Sequence, residues 1–253
     1  MNFISHGNQD GKSLLFIHGL ASTANLCFQP LLPYLQNYHL IFCELDGHSA
    51  AGPLDIVSME ESIEKIEDYL LKEMGGRIDG LCAFSLGASI AVDLIGRGRI
   101  LAGKVVLDAP ITIEMGWMAV PFTWAFMLGA DRIGQGKYIP GFLLRKMMGK
   151  DNKSITDMIY PQVTQTTIRN ACQYMYHYQF PDKLRFFTRP VLLWRGSEEA
   201  IPAKSERKLR AYLPQMRVEV YSGMGHGQFL HDHPEEYAAR LHAFFSEEAS
   251  EGM

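Results

Sequence analysis

The sequence predicts an α/β fold, with a mostly parallel, doubly wound sheet and a helical cap inserted after the sixth strand. Short runs rich in Leu, Ile and Val alternate with amphipathic helical segments, as expected for βαβ units. This alternation stops once, between 111 and 187, where we find only helical segments. The 253 residues fit one large α/β domain or two small ones. We therefore assign 1–110 and 188–253 to the core and 111–187 to the cap.

Seven short apolar runs are the candidate strands. Most are continuous rather than alternating, which is typical of parallel strands covered on both faces. The first two runs are separated only by NQDGK, which predicts a hairpin turn and therefore an antiparallel edge. The runs are NFISHG (2–7), SLLFIHG (13–19), HLIFCEL (39–45), RIDGLCAF (77–84), GKVVLDA (103–109), PVLLWRG (190–196) and MRVEVYS (216–222).

Helical periodicity fills the gaps between these runs. Residues 58–74 begin with Ser58, three residues before Glu61, which is the spacing of a capping box. Apolar side chains then recur on one side of the segment, which predicts an amphipathic helix. Residues 203–213 and 234–248 have the same kind of pattern, and we predict helices there as well.

The 111–187 segment is rich in methionine and aromatic residues. Its most apolar part, 117–130, has 14 residues and contains a proline, whereas a membrane span needs roughly 20 residues, so we expect no span. Polarizable methionines among aromatic rings suit an adaptable apolar pocket, although most of them must pack the cap against the sheet. We expect Trp117, Trp124 and Met127 to line the substrate pocket.

Composition excludes several classes of function. The formal net charge is -4, and no lysine and arginine cluster suited to a phosphate backbone occurs, so we expect no nucleic-acid partner. The N-terminal stretch does not resemble a signal peptide, and we expect a cytoplasmic protein that acts on a small molecule without a metal or cofactor. Composition leaves a homo-oligomer open. The four cysteines are widely spaced, without a CxxC pair, and predict neither disulfides nor a zinc site.

Candidate catalytic residues follow three of the predicted strands. Ligands of a doubly wound sheet bind at the carboxyl ends of its strands. Ser85 follows the run at 77–84 within AFSLG, and His226 follows the last run. Glu198 and Glu199 follow the run that ends at Gly196. A serine, an acid and a histidine in this order suit nucleophilic acyl transfer, because the hydroxyl needs a base and the imidazole needs a carboxylate.

Four motifs resemble those of the α/β-hydrolase family. FIHGLAS (16–22) resembles the HG oxyanion loop, and ELDGHSAAGP (44–53) resembles the loop after the next strand. AFSLG (83–87) resembles the GxSxG nucleophile elbow, and GMGHGQFLHDHPEEY (223–237) resembles the segment with the catalytic histidine. Any one of these motifs is a weak signal. Four in the right order, over nearly the whole chain except the cap, make the resemblance strong.

The resemblance implies an oxyanion hole beside Ser85. Its donors would be the backbone N–H groups of Leu86, directly after the nucleophile, and of Leu20, and two leucines there suggest an apolar mouth. His18 and Gly19 would border the substrate pocket. For His18 we favour a structural role, in which the ring shapes the loop through hydrogen bonds, over a role as a base.

The chain departs from the family pattern at three places. Ala83 stands where the elbow usually has glycine, a mild change because the position must only be small. Asp46 stands where the family commonly has proline. The family's acid is typically aspartate, and its place holds Glu199, which is one methylene longer. We favour Glu199 as the acid and keep Glu198 and Asp108 as alternatives.

The predicted activity is a serine hydrolase that cleaves a carboxylic ester of a small to medium apolar substrate through an acyl-enzyme. An aminopeptidase, with Glu114 or Asp131 holding the amine, a thioesterase and a carbon-carbon hydrolase remain alternatives on the same residues. A ligand-binding receptor without turnover is the alternative from another class. Two structural interpretations compete with catalysis: Ser85 as a helix N-cap, and Glu199 in a solvated turn.

Overall fold

The fold is described by a computed structural model over residues 1–49, 51–52, 55–137, 141 and 157–247. The predicted helical piece IPGFLLRKMMG (139–149) lies outside these residues except for Gly141. Of the predicted helical piece SITDMIYPQV (154–163), residues 157–163 are described, and 158–163 are not helical. Within the described residues, helices cover both faces of a central sheet, and the predicted α/β fold class is confirmed.

Seven strands form one sheet in the described part of the chain. The strands are β1 (Asn2–Gly7), β2 (Ser13–Ile17), β3 (His39–Glu44), β4 (Arg77–Phe84), β5 (Leu101–Asp108), β6 (Val191–Gly196) and β7 (Arg217–Tyr221). Their order is β1-β3-β2-β4-β5-β6-β7. The β1 pairing with β3 is antiparallel, and the other five pairings are parallel. Four strands precede β5 among the described residues. The strand before the predicted cap is therefore the fifth rather than the sixth.

Eight α-helices connect or flank the strands in the described residues. They are α1 (Ala24–Phe28), α2 (Met59–Glu73), α3 (Leu86–Arg97), α4 (Ala119–Gly134), α5 (Gln165–Tyr176), α6 (Ala200–Leu209), α7 (Gln228–Asp232) and α8 (Pro234–Ser246). The helix predicted over 58–74 is confirmed, and the Ser58 hydroxyl accepts the N–H of Glu61 at 3.1 Å. Short 3-10 turns occupy Gln29–Tyr34, Gly116–Met118 and Asp182–Phe186.

The predicted hairpin between β1 and β2 is wrong. NQDGK does turn, since the N–H of Gly11 donates to the carbonyl of Asn8 at 3.0 Å. Both edges of β2 are already occupied by parallel partners, so β1 joins the free edge of β3. The N–H of Asn8 donates to the carbonyl of Tyr38 at 3.0 Å and ties this crossing to the start of β3. The antiparallel edge is confirmed, although its partner differs.

Apolar side chains cover the sheet on both faces. Alternate residues of β2 belong to two separate clusters: Leu15 and Ile17 pack with residues of α2 and α3, whereas Leu14 and Phe16 pack with residues of α1 and α8. Burial on both faces explains why the strands are continuous apolar runs rather than alternating ones. No helix in the described ranges is long and apolar enough to cross a membrane.

A buried carboxyl joins α3, the helix after β4, to the segment between β5 and β6. Asp93 of α3 is 7% exposed and accepts hydrogen bonds from the hydroxyls of Tyr174 and Tyr178. Both hydroxyls also approach the carbonyl of Ser89, at 3.1 and 3.3 Å. Desolvation is the largest influence on Asp93 and raises its pKa to about 6.

Asp93 therefore makes stability depend on pH in a specific window. In the folded protein this carboxyl keeps its proton up to a pH of about 6, whereas in the unfolded chain it loses the proton near its ordinary value of 3.8. The unfolded state binds fewer protons between these values, so the free energy of unfolding falls as the pH rises through them. Asp93→Asn removes this pH dependence. Between pH 4 and 7 we expect the free energy of unfolding of the wild-type protein to fall by about 2 kcal/mol relative to that of the variant.

Urea denaturation at several pH values measures this difference, with Asp10→Asn as the control because Asp10 is exposed. A difference between wild type and Asp93→Asn that stays constant from pH 4 to 7 would contradict the prediction.

Candidate active site

Ser85 lies in a strained turn between β4 and α3. Its backbone has φ 56° and ψ -113°, a left-handed φ that is costly for a residue with a Cβ. The N–H of Ser85 donates to the carbonyl of Asp108 at 2.8 Å, which ties the turn to the end of β5. Ser85 occupies the N-cap position of α3, but its hydroxyl makes no capping hydrogen bond. The hydroxyl is thus directed elsewhere.

Small residues make room for this turn. A Cβ on Gly87 would stand 2.1 Å from the carbonyl oxygen of Ile17, so only glycine lets α3 start this close to β2. A Cβ on Gly19 would stand 3.2 Å from the Cβ of Ser85. Ala83, where the family usually has glycine, is buried within β4, and the strained turn forms with alanine at that position.

The hydroxyl of Ser85 meets the ring of His226. Ser85 Oγ lies 2.9 Å from Nε2, and the other ring nitrogen, Nδ1, lies 2.6 Å from Oε1 of Glu199. All three residues are less than 10% exposed. The structure therefore brings the predicted serine, histidine and glutamate into one hydrogen-bonded chain. Its distances are those at which a proton can pass between nucleophile and base.

Glu199 is fixed by the backbone around it. Its Oε2 accepts the N–H of Gly196, and its Oε1 faces His226. Glu198 points away, is exposed and accepts a hydrogen bond from the Ser197 hydroxyl at 3.1 Å. The N–H of Glu198 donates to the carbonyl of Met224 at 3.1 Å, which joins the loops of the acid and the histidine. Glu199 is therefore not in a solvated turn.

Asp108, the other alternative acid, does not reach the histidine. The Asp108 side chain is 5% exposed, and its Oδ2 atom has no hydrogen-bond partner in the described residues. The hydrogen-bond partner of the carboxyl group is Tyr237 rather than His226. Desolvation raises the pKa of Asp108 well above its ordinary value, and the negative charge of Glu199 raises it further. Asp108 is thus favoured as a neutral acid.

Two backbone N–H groups flank the predicted oxyanion position. Leu86 is the first residue of α3, so its N–H has no partner within the helix. Leu20 lies in the turn after β2, next to Gly19. Neither N–H has a hydrogen-bond acceptor within the described part of the chain. Both donors are available for the role that the resemblance implies.

His18 does not border a pocket, contrary to the first expectation. It is 0% exposed, and both ring nitrogens bond to backbone groups, the carbonyl of Gly19 at 2.9 Å and the N–H of Leu45 at 3.1 Å. A ring that is fully enclosed in this way cannot contact a substrate. The geometry agrees with the role in shaping the loop.

The tryptophans and the methionine predicted to line the pocket lie in different surroundings. Trp117 is 81% exposed and Trp124 is 68% exposed. Met127 is buried in the apolar cluster that contains Leu15 and Ile17. The pocket role of these three residues stays a prediction.

Apolar side chains that the sequence analysis did not assign to the site lie next to the histidine. The ring of Phe84 is 4.9 Å from the ring of His226. A Cβ on Gly227 would stand 2.9 Å from Phe84 and 3.6 Å from Met158 Sδ. Phe84 carries no sequence signal, because it reads as one more apolar residue of β4.

The described residues contain no group of three or more His, Cys, Asp or Glu side chains that could hold a metal ion. His231, which follows His226 closely in sequence, is partly exposed, with Nδ1 3.0 Å from the carboxylate of Asp232.

The sheet, the strained serine turn and the serine, histidine and glutamate chain define a protein of the hydrolase class built on this fold. The chain belongs to the alpha/beta hydrolase family, whose family model matches residues 14–240.

Similar proteins support this assignment. A pimeloyl-[acyl-carrier protein] methyl ester esterase of Nitrosomonas europaea is 23% identical, over 91% of this chain and 94% of the relative. An alpha/beta hydrolase family protein of Desulfitobacterium hafniense has a solved structure with a TM-score of 0.85, 22% identity, and coverage of 97% of this chain and 100% of that one. A carboxylesterase of Nitrososphaera gargenis has a TM-score of 0.77 and 15% identity over 97% and 93% of the two chains. These two structures share the fold.

The close approach of α3 to β2 predicts that Gly87 does not tolerate a side chain. In Gly87→Ala the new Cβ meets a backbone oxygen at 2.1 Å, which can only be relieved by moving α3 and Ser85. We expect a loss of about 3 kcal/mol in the free energy of unfolding. Gly129→Ala in α4 is the matched control, because a Cβ there meets nothing within 4 Å.

Alanine in place of an unhindered helical glycine is expected to stabilise by about 0.5–1 kcal/mol. Urea denaturation of both variants measures the contrast. Equal effects of the two substitutions would show that α3 is not constrained at Gly87.

Proposed function

We propose that this protein is a serine hydrolase that cleaves carboxylic esters of small to medium size with an apolar acyl or alcohol part. The observation that carries the proposal is the hydrogen-bonded chain from Ser85 through His226 to Glu199. Each member has the partner that its role requires. The relative from Nitrosomonas europaea, whose name is that of a methyl ester esterase, supports ester hydrolysis.

In the proposed reaction, Ser85 Oγ attacks the ester carbonyl while His226 Nε2 takes the hydroxyl proton. The tetrahedral intermediate collapses, His226 gives its proton to the alkoxy oxygen, and the alcohol leaves. Water then attacks the acyl-enzyme with the same histidine as base, which releases the carboxylic acid and restores Ser85. Glu199 accepts a hydrogen bond from the Nδ1–H group of His226 and stabilises the imidazolium that forms in both halves of the reaction.

The negative charge of the intermediate develops beside the start of α3. The N–H groups of Leu86 and Leu20 would donate to that oxygen, and the positive end of the α3 dipole faces the same region. One such donor contributes roughly 2.7 to 4 kcal/mol to catalysis.

Apolar surroundings support the proposed substrate class. The ring of Phe84 lies 4.9 Å from the ring of His226 at a tilt of 34°, and a Cβ on Gly227 would stand 3.6 Å from Met158 Sδ. Leu20 adds an aliphatic side chain that is 7% exposed. Of the carboxylates considered for holding an amine, Asp131 is exposed and accepts both of its hydrogen bonds from Gln135. These bonds engage both carboxylate oxygens of Asp131, which argues against Asp131 as a residue that holds a substrate amine.

We expect the wild-type protein to hydrolyse p-nitrophenyl esters and Ser85→Ala to reduce kcat to the background rate. A series from acetate to long acyl chains measures the depth of the acyl pocket, and alkyl esters of one acid, starting with methyl, measure the alcohol side. Equal rates for wild type and Ser85→Ala across both series would remove the esterase proposal and favour a receptor or another substrate bond.

The acid is tested by a pair of neighbouring substitutions. Glu199→Gln removes the charge that stabilises the imidazolium. We expect kcat to fall by up to about 10⁴-fold, with little change in KM. Glu198→Gln alters an exposed carboxylate and is expected to retain wild-type kcat.

Steady-state kinetics of both variants distinguish the two glutamates. Asp108→Asn adds a third arm, with activity retained because Asp108 does not bond to His226. A larger loss in Asp108→Asn than in Glu199→Gln would assign the acid to β5 instead.

A further inference from the structure

Two buried histidines hold the loop that carries Leu20. His18 Nδ1 donates to the carbonyl of Gly19 at 2.9 Å, and His48 Nε2 accepts the N–H of Ala21 at 3.1 Å. Both rings are 0% exposed. The backbone is therefore held on either side of Leu20.

These two contacts act on the peptide groups that flank Leu20. The carbonyl of Gly19 and the N–H of Leu20 belong to one planar peptide unit, so holding the oxygen fixes the direction of the N–H. The N–H of Ala21 belongs to the next unit, which fixes the other side of the Leu20 Cα. Ala21 has φ 56°, a strained value that persists only where surrounding contacts enforce it.

The opposite sides of the two rings are anchored on the loop after β3. The N–H of Leu45 donates to His18 Nε2 at 3.1 Å, and His48 Nδ1 donates to the carbonyl of Asp46 at 2.8 Å. The two rings meet edge to face, with centroids 5.0 Å apart. The oxyanion loop is thus tied to a neighbouring loop through imidazole rings rather than through direct backbone contacts.

The arrangement requires both rings in the neutral Nδ1–H form. Each Nε2 accepts a backbone N–H and each Nδ1 donates to a carbonyl. Burial, with a smaller contribution from the neighbouring His18, lowers the pKa of His48 to about 3. Glu44 Oε1 lies 3.4 Å from His18 Nε2, but that nitrogen has no proton to give because it already accepts from Leu45.

We propose that His18 and His48 are a pair of positioning residues that set the direction of the Leu20 N–H toward the oxyanion. Neither ring touches the reacting atoms. The inference rests on the proposed function, since it concerns an oxyanion donor of that reaction. It assigns to His48 a part in catalysis that its distance along the chain from Ser85 does not suggest.

The two histidines can be tested with crossed amide substitutions. The amide of asparagine stands near the position of Nδ1, and the amide of glutamine reaches the position of Nε2. The contact to the oxyanion loop is made by Nδ1 in His18 and by Nε2 in His48. Asparagine at position 18 and glutamine at position 48 should therefore keep the contact with the oxyanion loop. Glutamine at position 18 and asparagine at position 48 should lose it.

We expect His18→Gln and His48→Asn to lower kcat by about 10²-fold, because small displacements of catalytic groups have effects of that size. KM should change little, and a trifluoromethyl ketone that forms an oxyanion on Ser85 should bind more weakly in the same proportion. His18→Asn and His48→Gln should keep most of the wild-type kcat. All four variants leave one buried backbone group without its partner, so their Tm should fall to a similar extent.

His242→Asn is the control, since His242 is exposed and bonds the Tyr38 hydroxyl at 2.8 Å, away from the loop. Its kcat should equal that of the wild type. Four equal kcat values at positions 18 and 48, or values that follow Tm rather than the crossed pattern, would overturn the inference.

If the variants do not fold, the inference can be tested on the wild-type protein instead. NMR should detect coupling through the hydrogen bond between the Ala21 nitrogen and His48 Nε2, and a shift of the Leu20 amide when the ketone binds. A protonated His48, or a Leu20 amide signal that does not shift when the ketone binds, would overturn the inference. Wild-type protein without Ser85-dependent turnover overturns the proposed function together with it, whereas full activity in folded His48→Asn overturns the inference alone.

Discussion

The left-handed turn at Ser85 is the constraint on which the site depends. A serine with φ 56° lifts its hydroxyl off the sheet and leaves the N–H of Leu86 free at the start of α3. That conformation is costly, and it is held by the hydrogen bond from Ser85 to Asp108 and by the approach of α3 to β2 at Gly87. The middle of a parallel sheet is suited to enforce it, because β4 has partners on both edges.

A second requirement is that the loops after β6 and β7 meet above the sheet. Gly196 lets them approach, since a Cβ there would stand 2.0 Å from the carbonyl oxygen of Met224. Glu199 then spans the distance to His226 while its second oxygen accepts the N–H of Gly196. The extra methylene of glutamate is accommodated because the carboxylate folds back onto its own loop. This explains how the chain places glutamate where relatives of the family typically have aspartate.

The sequence predicts the parts of this fold that follow from local chemistry. Continuous apolar runs gave the strands, and the serine, glutamate and histidine at strand ends came together because the carboxyl ends of parallel strands share one edge. The pairing of β1 was not predictable from NQDGK, because it depends on which sheet edge is free. His48 was also missed, since its bond to Ala21 joins residues 27 positions apart, and buried histidines have no pattern of their own.

Burial decides which groups near the histidine carry charge. Asp108 lies close enough to Glu199 for their charges to interact, and desolvation followed by the charge of Glu199 raises the pKa of Asp108 well above its ordinary value, which favours the protonated form. Glu199 is the carboxylate that bonds to the ring of His226, and Asp108 does not reach that ring. A protonated Asp108 leaves Glu199 as the charged group next to the ring, where its Oε1 lies 2.6 Å from Nδ1. The buried acid at the end of β5 thus limits the negative charge around the base to Glu199.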